Sequence, residues 1–185
     1  MVFKNILKKI SAALDNSGIP YMVIGGQAVL LYGEPRLTRD IDVTVGIGAD
    51  EFKKIVNCSE NLKLKILVDD PCKFVKETMV LPVIDEKTGI RVDFIFSYSP
   101  YERQAIKRTK NVKLDETTVK FASLEDVIIH KIIAGRPRDI EDIKSILLKN
   151  SDYDAKYITS WLEEFDKTLS ENFTKTFKKI IEETE

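Results

Sequence analysis

Apolar positions Val2, Phe3, Ile6, Leu7, Ile10 and Leu14 recur at the spacing of one helix face, and Gly18-Ile19-Pro20 stops that run. Tyr21 to Ile24 is a short unbroken apolar stretch and predicts a buried strand. Gly25-Gly26 reads as a turn, Gln27 to Gly33 as a short helix, and Gly33-Glu34-Pro35 breaks it. Asp40 to Val45 alternates polar with β-branched residues and predicts a strand. An amphipathic helix is expected over 50–61, whereas 62–76 fits neither period. Two further strands are expected over 78–85 and 89–97, joined by the turn Glu86-Lys87-Thr88-Gly89, with Pro82 marking the first as an edge or bulged strand. A helix over 101–107 and short strands at 110–114 and 118–121 follow. From Ser123 the pattern is helical throughout, opening on a Ser123 cap with Asp126 in the first turn.

This order predicts an α+β (mixed α/β) fold. A twisted mixed sheet flanked by helices occupies residues 1–122, and a helical region follows over 123–185. Composition agrees with a well-packed globular chain: 185 residues, 43% hydrophobic and 32% charged. The formal net charge of −1 supplies no global basic field, so any nucleic-acid contact must come from a local patch such as Glu102 to Lys113. No apolar run reaches the length of a membrane span, and the lysine-interrupted N-terminus is not a signal segment; a cytoplasmic protein without membrane contact is expected. Cys58 and Cys72 lack CxxC spacing and read as reduced thiols. With one histidine, His130, no His/Cys zinc set exists, and no P-loop motif occurs.

The chemistry lies in the acids within apolar strands. Residues two apart on a strand face the same way, so Asp40, Asp42 and Thr44 share one face while Ile41, Val43 and Val45 share the other. Two carboxylates about 6–7 Å apart along a strand repel unless a cation intervenes. Either a hard divalent ion or a salt bridge to Arg36 or Arg39 meets that need. Arg91, Asp93 and Ile95 likewise share a face opposite Val92, Phe94 and Phe96. If the two strands are neighbours, Asp93 completes a three-carboxylate cluster of the kind that holds two metal ions for phosphoryl or nucleotidyl displacement. Gly25-Gly26, between a strand and a helix, permits close approach of phosphate to backbone.

Taken together, Ile24-Gly25-Gly26, a spacer of thirteen residues, Asp40-Ile41-Asp42-Val43, and the later Val92-Asp93-Phe94 resemble the DNA polymerase β nucleotidyltransferase superfamily. The resemblance implies transfer of a nucleoside monophosphate from a nucleoside triphosphate, with pyrophosphate released. Asp40, Asp42 and Asp93 would be catalytic and would ligate two Mg²⁺ or Mn²⁺ ions, Asp93 also orienting or deprotonating the acceptor hydroxyl. Gly25, Gly26, Gln27, Thr38 and Arg39 would line the nucleotide. Lys131, Arg136-x-Arg138-Asp139 and Asp142, with Arg36-x-Thr38-x-Asp40, resemble the AbiEii-type branch, which contains toxin components of toxin–antitoxin systems. By that likeness Lys131 contacts the triphosphate, and Asp139, with Arg136 or Arg138, supports the site; the helical region completes the cleft. The chain is short for that branch.

From residue pattern alone Lys131 lies on an apolar stripe, where it either extends to solvent or enters a polar site. The acceptor stays open among RNA (tRNA), a small molecule and a protein, and a partner antitoxin or a homodimer is expected. Two other readings remain: a catalytically silent nucleotide-binding regulator of the same fold, and an interaction module docking through a C-terminal stripe of Trp161, Leu162, Phe165 and Leu169.

Overall fold

A computed structural model describes residues 2–97 and 99–184; Met1, Tyr98 and Glu185, two of which bound the expected regions, lie outside it. The chain divides into two compact units. One comprises the residues up to Gln27 together with Leu37–Ala122; the other comprises Ala28–Arg36 with the residues from Ser123 onward. A cut at residue 122 leaves out the excursion of 28–36 into the helical unit.

The first unit is built on a sheet of seven strands among the described residues: β1 (Tyr21–Ile24), β2 (Asp40–Val45), β3 (Lys65–Ile66), β4 (Val80–Asp85), β5 (Ile90–Phe96), β6 (Lys110–Leu114) and β7 (Thr117–Phe121). Their order is β3-β4-β5-β2-β1-β7-β6. The β2–β5 and β1–β7 pairs are parallel and the others antiparallel, so the sheet is mixed, as the sequence pattern predicts. One face of the central strands is wholly apolar and sealed: Ile41, Val43, Val45, Val92, Phe94, Phe96, Leu81 and Val83 are buried. Each such side chain contributes roughly 1.5–3 kcal/mol by leaving water. Helix α1 (Val2–Asn16) adds Ile6, Leu7, Ile10 and Leu14 to the core of this unit and packs against β7. Residues Gly25–Tyr32 form α2, and Phe52–Asn61 form α3, which contacts β3 and β4.

Three local expectations change. The ambiguous segment 62–76 holds the two-residue strand β3 and most of helix α4 (Pro71–Thr78), whose start is set by Pro71 and by Asp70 accepting from the Lys73 amide. Strand β4 therefore starts at Val80 rather than at Thr78. Pro82 is neither on an edge strand nor at a bulge. Its carbonyl accepts from the Leu67 amide, so its nitrogen faces β3, whose ladder has already ended there; the missing N–H forfeits no ladder bond. Helix α5 (Pro100–Lys107) carries a capping box between Ser99 and Glu102.

The second unit contains α6 (Leu124–Ala134), α7 (Pro137–Lys149), α8 (Ala155–Leu169) and α9 (Phe173–Glu182). Ser123 caps α6 by accepting from the Asp126 amide, and Gly135, at φ +62°, ends it in the left-handed conformation. Arg136 is extended and Pro137 opens α7, so α6 and α7 are joined by a very short link. Of the expected C-terminal stripe, Leu162 is buried, Trp161 and Phe165 are in ring contact, and Leu169 is exposed. Cys58 and Cys72 are both free thiols. Among the described residues no helix is long and apolar enough to cross a membrane.

Candidate active site

The register of β2 on β5 decides where the acids stand. Asp42 lies directly beside Asp93 and Asp40 beside Arg91, in a parallel ladder that runs unbroken from Asp40 to Val45. Adjacent strands are about 4.8 Å apart, so Asp42 and Asp93 are lateral neighbours on the face opposite the sealed core. Asp42 and Asp93 are half-buried, while Asp40 and Arg91 are exposed. The backbone thus brings all three acids to one face of the first unit. It also brings a cation: the Arg91 Nε donates to the Asp93 carboxylate at 2.8 Å. The hydrogen bond with Asp93 holds the Arg91 guanidinium more firmly protonated than usual; burial opposes this, and the fields of Asp93, Asp40 and Asp42 add to it. Two residues deeper on the same face, the Thr44 hydroxyl is buried without a hydrogen-bond partner.

Gly25 is the first residue of α2 rather than part of a turn before it, and it has φ +64°. Ile24 pairs with Asp42 across β1 and β2, which delivers Gly25 to the same level of the sheet. A Cβ built on Gly25 would lie 1.9 Å from an Asp42 carboxylate oxygen. The glycine therefore makes room for the protein's own acid, quite apart from any phosphate. Gly25→Ala is expected to cost about 1–2 kcal/mol through its backbone conformation and to force the Asp42 carboxylate aside. Thermal melting and nucleotide turnover, measured together, check this: both should fall.

Gly26 and Gln27 are buried in the first turn of α2. The Gln27 amide donates to the Thr38 hydroxyl at 2.6 Å, both side chains being buried, so these two expected nucleotide residues hold each other and fix the segment entering β2. Arg39, just before that strand, is exposed.

The expected cations of the helical region form a separate cluster within the second unit. Lys131 enters a polar site. Its ammonium meets Asp139 at 2.5 Å and Asp142 at 2.9 Å, and all three are buried. Asp139 and Asp142, one turn apart on α7, present their carboxylates to the same side. Arg36 grips Asp142 with two donors, at 2.7 and 2.9 Å, a fork that suits guanidinium and carboxylate. Arg136 donates to Asp139 at 2.6 Å while its side chain is 73% exposed. Burial pushes the Asp139 carboxyl up, but hydrogen bonds from Arg136 and Lys131 outweigh it and hold the group below the ordinary aspartate range. Arg138 is exposed. Lys131, Arg36 and Arg136 all meet these two carboxylates, and Arg136 is the most exposed of the three cations. The ammonium of Lys131, expected from the sequence to contact the triphosphate, is engaged by these two acids.

Among the described residues no three acid, imidazole or thiol groups stand close enough to hold a metal ion as they are placed. The donor set nonetheless suits a hard divalent cation. It consists of carboxylate oxygens on adjacent rigid strands, with the position facing Asp42 kept clear by a glycine.

The mixed sheet, with an acid pair on parallel neighbours and a glycine-led helix beside it, is the architecture that the resemblance to polymerase β nucleotidyltransferases implies. The chain belongs to the family described as "Nucleotidyltransferase of unknown function (DUF6036)", whose profile matches residues 1–183. It is a nucleotidyltransferase, an enzyme of nucleoside monophosphate transfer. Among solved structures, the antibiotic-resistance factor ANT(2'')-Ia is similar at 16% identity and a TM-score of 0.63, over 91% of this chain and 94% of that one. An antigenic nucleotidyltransferase-like protein from Paracoccidioides brasiliensis is similar at 16% identity and a TM-score of 0.57, over 89% and 87%. A nucleotidyltransferase-assigned protein from Thermotoga maritima is similar at 17% identity and a TM-score of 0.50, over 88% and 93%. Likeness at this identity bears on the fold. No curated protein sequence matches the chain.

Proposed function

We propose that the chain transfers a nucleoside monophosphate from a Mg²⁺- or Mn²⁺-bound nucleoside triphosphate to an acceptor hydroxyl, using Asp40, Asp42 and Asp93. The observation that carries this reading is the parallel register seating Asp93 beside Asp42, with Gly25 leaving the Asp42 carboxylate its space. Asp40, Asp42 and Asp93 would hold the ions, which would supply charge neutralisation at the phosphates and a more acidic acceptor hydroxyl. Asp93 orients the acceptor hydroxyl and takes its proton. The acceptor oxygen bonds to the α-phosphorus as the bond to pyrophosphate breaks in line. Gly25 and Gly26 give the triphosphate access to the amides at the start of α2. Gln27 and Thr38 brace the segment leading to Asp40, and Arg39, at its end, is a further nucleotide contact. On the helical unit, Arg136 and Arg138 are proposed as phosphate-facing cations, with Lys131 and Asp139 fixing Arg136. Positioning and fixed charge supply most of the rate in such transfers.

The acceptor is proposed to be a small hydroxylated molecule, by likeness to ANT(2'')-Ia, whose structure is known in complex with adenylyl-2''-tobramycin. RNA and protein acceptors, the latter within a toxin–antitoxin pair, are the alternatives that the experiment separates. Incubating the chain and Mg²⁺ with each α-labelled nucleoside triphosphate, and with small-molecule, RNA and protein pools in turn, should label one pool and release pyrophosphate. Asp93→Asn should remove the label. Retained labelling in that variant would overturn the assignment of Asp93. A second reading, a nucleotide-binding regulator that does no chemistry, is favoured by one observation, Arg91 seated on Asp93. Tight Mg²⁺–nucleotide binding with no pool labelled would select it.

A further inference from the structure

The acidic face carries its own cation, and the reaction as proposed has no use for it. Arg91 stands directly beside Asp40 in the ladder and donates to Asp93, which stands beside Asp42. One guanidinium is therefore within the field of all three acids. Its side chain is 52% exposed, whereas that of Asp93 is 17% exposed. Asp93 is the more enclosed partner, and Arg91 is the one open to water. Asp42 and Asp93 are acids about one strand spacing apart, a repulsive arrangement. Arg91 relieves that repulsion with a charge already attached to the chain.

We propose that Arg91 is a resident counter-ion of the acidic face, occupying Asp93 in the metal-free protein and giving way when a divalent cation binds. This rests on reading the three acids as the cation site. It makes Arg91 a positioning residue that sets how tightly the site takes its metal. A guanidinium already on Asp93 competes with the incoming ion, so apparent metal affinity is lower than the carboxylates alone would give. The same pairing keeps the acids from collecting stray cations and keeps the metal-free sheet intact. A single charge at roughly 6 Å, in the high effective dielectric of a half-exposed site, shifts binding by on the order of tenfold.

Mn²⁺ binding to the full chain, stripped with EDTA and followed by the paramagnetic signal of free Mn²⁺, tests this without reference to turnover. Arg91→Gln should bind Mn²⁺ about tenfold more tightly than the wild type. In EDTA it should melt a few degrees lower, and Mn²⁺ should raise its melting temperature more than it raises that of the wild type. Arg91→Lys keeps the charge but loses the Nε donor and should fall between the two. If Arg91→Gln does not fold in EDTA, Arg91→Lys carries the test: tighter binding than the wild type supports the proposal and equal binding overturns it. Equal or weaker binding by Arg91→Gln, with binding lost in Asp42→Asn, removes Arg91 as a competitor and leaves the cation site standing. No Mn²⁺ binding by either the wild type or Arg91→Gln removes both.

Discussion

Asp42→Asn is expected to reduce nucleotide transfer by at least about a thousandfold while leaving the protein folded. The substitution keeps the side chain's shape and removes its charge. Asp42 sits at the crossing of every feature of the acidic face: beside Asp93 in the ladder, paired with Ile24, and packed against the space of Gly25. Removing one well-placed electrostatic contributor costs about 10²–10³ in rate, and a residue proposed to ligate two ions should lie at or beyond the top of that range. Stability should change little, because the buried face of β2 consists of Ile41, Val43 and Val45, which the substitution does not touch. Relief of the repulsion with Asp93 acts in the stabilising direction. Circular dichroism and melting establish the fold; label transfer from an α-labelled triphosphate gives the rate. A rate within tenfold of the wild type would sink the role proposed for Asp42.

Asp139→Ala is expected to destabilise the protein by about 3–5 kcal/mol, the usual consequence of removing one partner from a buried ion pair. It strips one of two carboxylates from the buried Lys131 ammonium and the inner anchor from Arg136. Lys131→Met in the same background should recover part of the loss, because it withdraws a buried ammonium left to share Asp142 with Arg36. Thermal melting at neutral pH should drop by on the order of 10 °C in the single variant. The pH dependence has a definite sign. The Asp139 carboxyl is held below its ordinary value of 3.8 in the folded chain, so its contribution is present above that value and is lost as the pH falls through the folded one. Wild type and variant should converge in acid. A constant gap down to strongly acidic pH would mean that the loss comes from packing rather than charge.

Much of the fold was legible because the strands that matter alternate. In Asp40 to Val45 and Gly89 to Ser97 one set of positions is apolar and the other is not, and the acids fall in the second set. Side-chain parity alone placed Asp40, Asp42 and Asp93 on polar faces; only the ladder shows that the two faces are one and that Asp93 stands beside Asp42. Residues 62–76 stayed ambiguous for a physical reason. A two-residue strand has no period, and an eight-residue helix with a single buried side chain, Val75, has barely one. Lys131 was recognised as anomalous on its apolar stripe, yet the acids that meet it come from another helix, so their spacing to it is invisible in sequence. Arg36, read in the sequence as a salt-bridge candidate for the β2 acids, closes that cluster on Asp142, a motif residue without a stated role. Arg91 was placed on the correct face and given no task, because the meaning of a cation two positions from an acid depends on what lies across the ladder.

The fit of Gly25 against the Asp42 carboxylate ties two distant positions into a single heritable choice. Any side chain at 25 displaces the acid from its place, and once the acid is gone one reason for keeping the glycine disappears with it. In descendants of this chain that abandoned the chemistry, residue 25 should be the first to drift, and a bulky residue there would be the mark of a scaffold that has retired from catalysis.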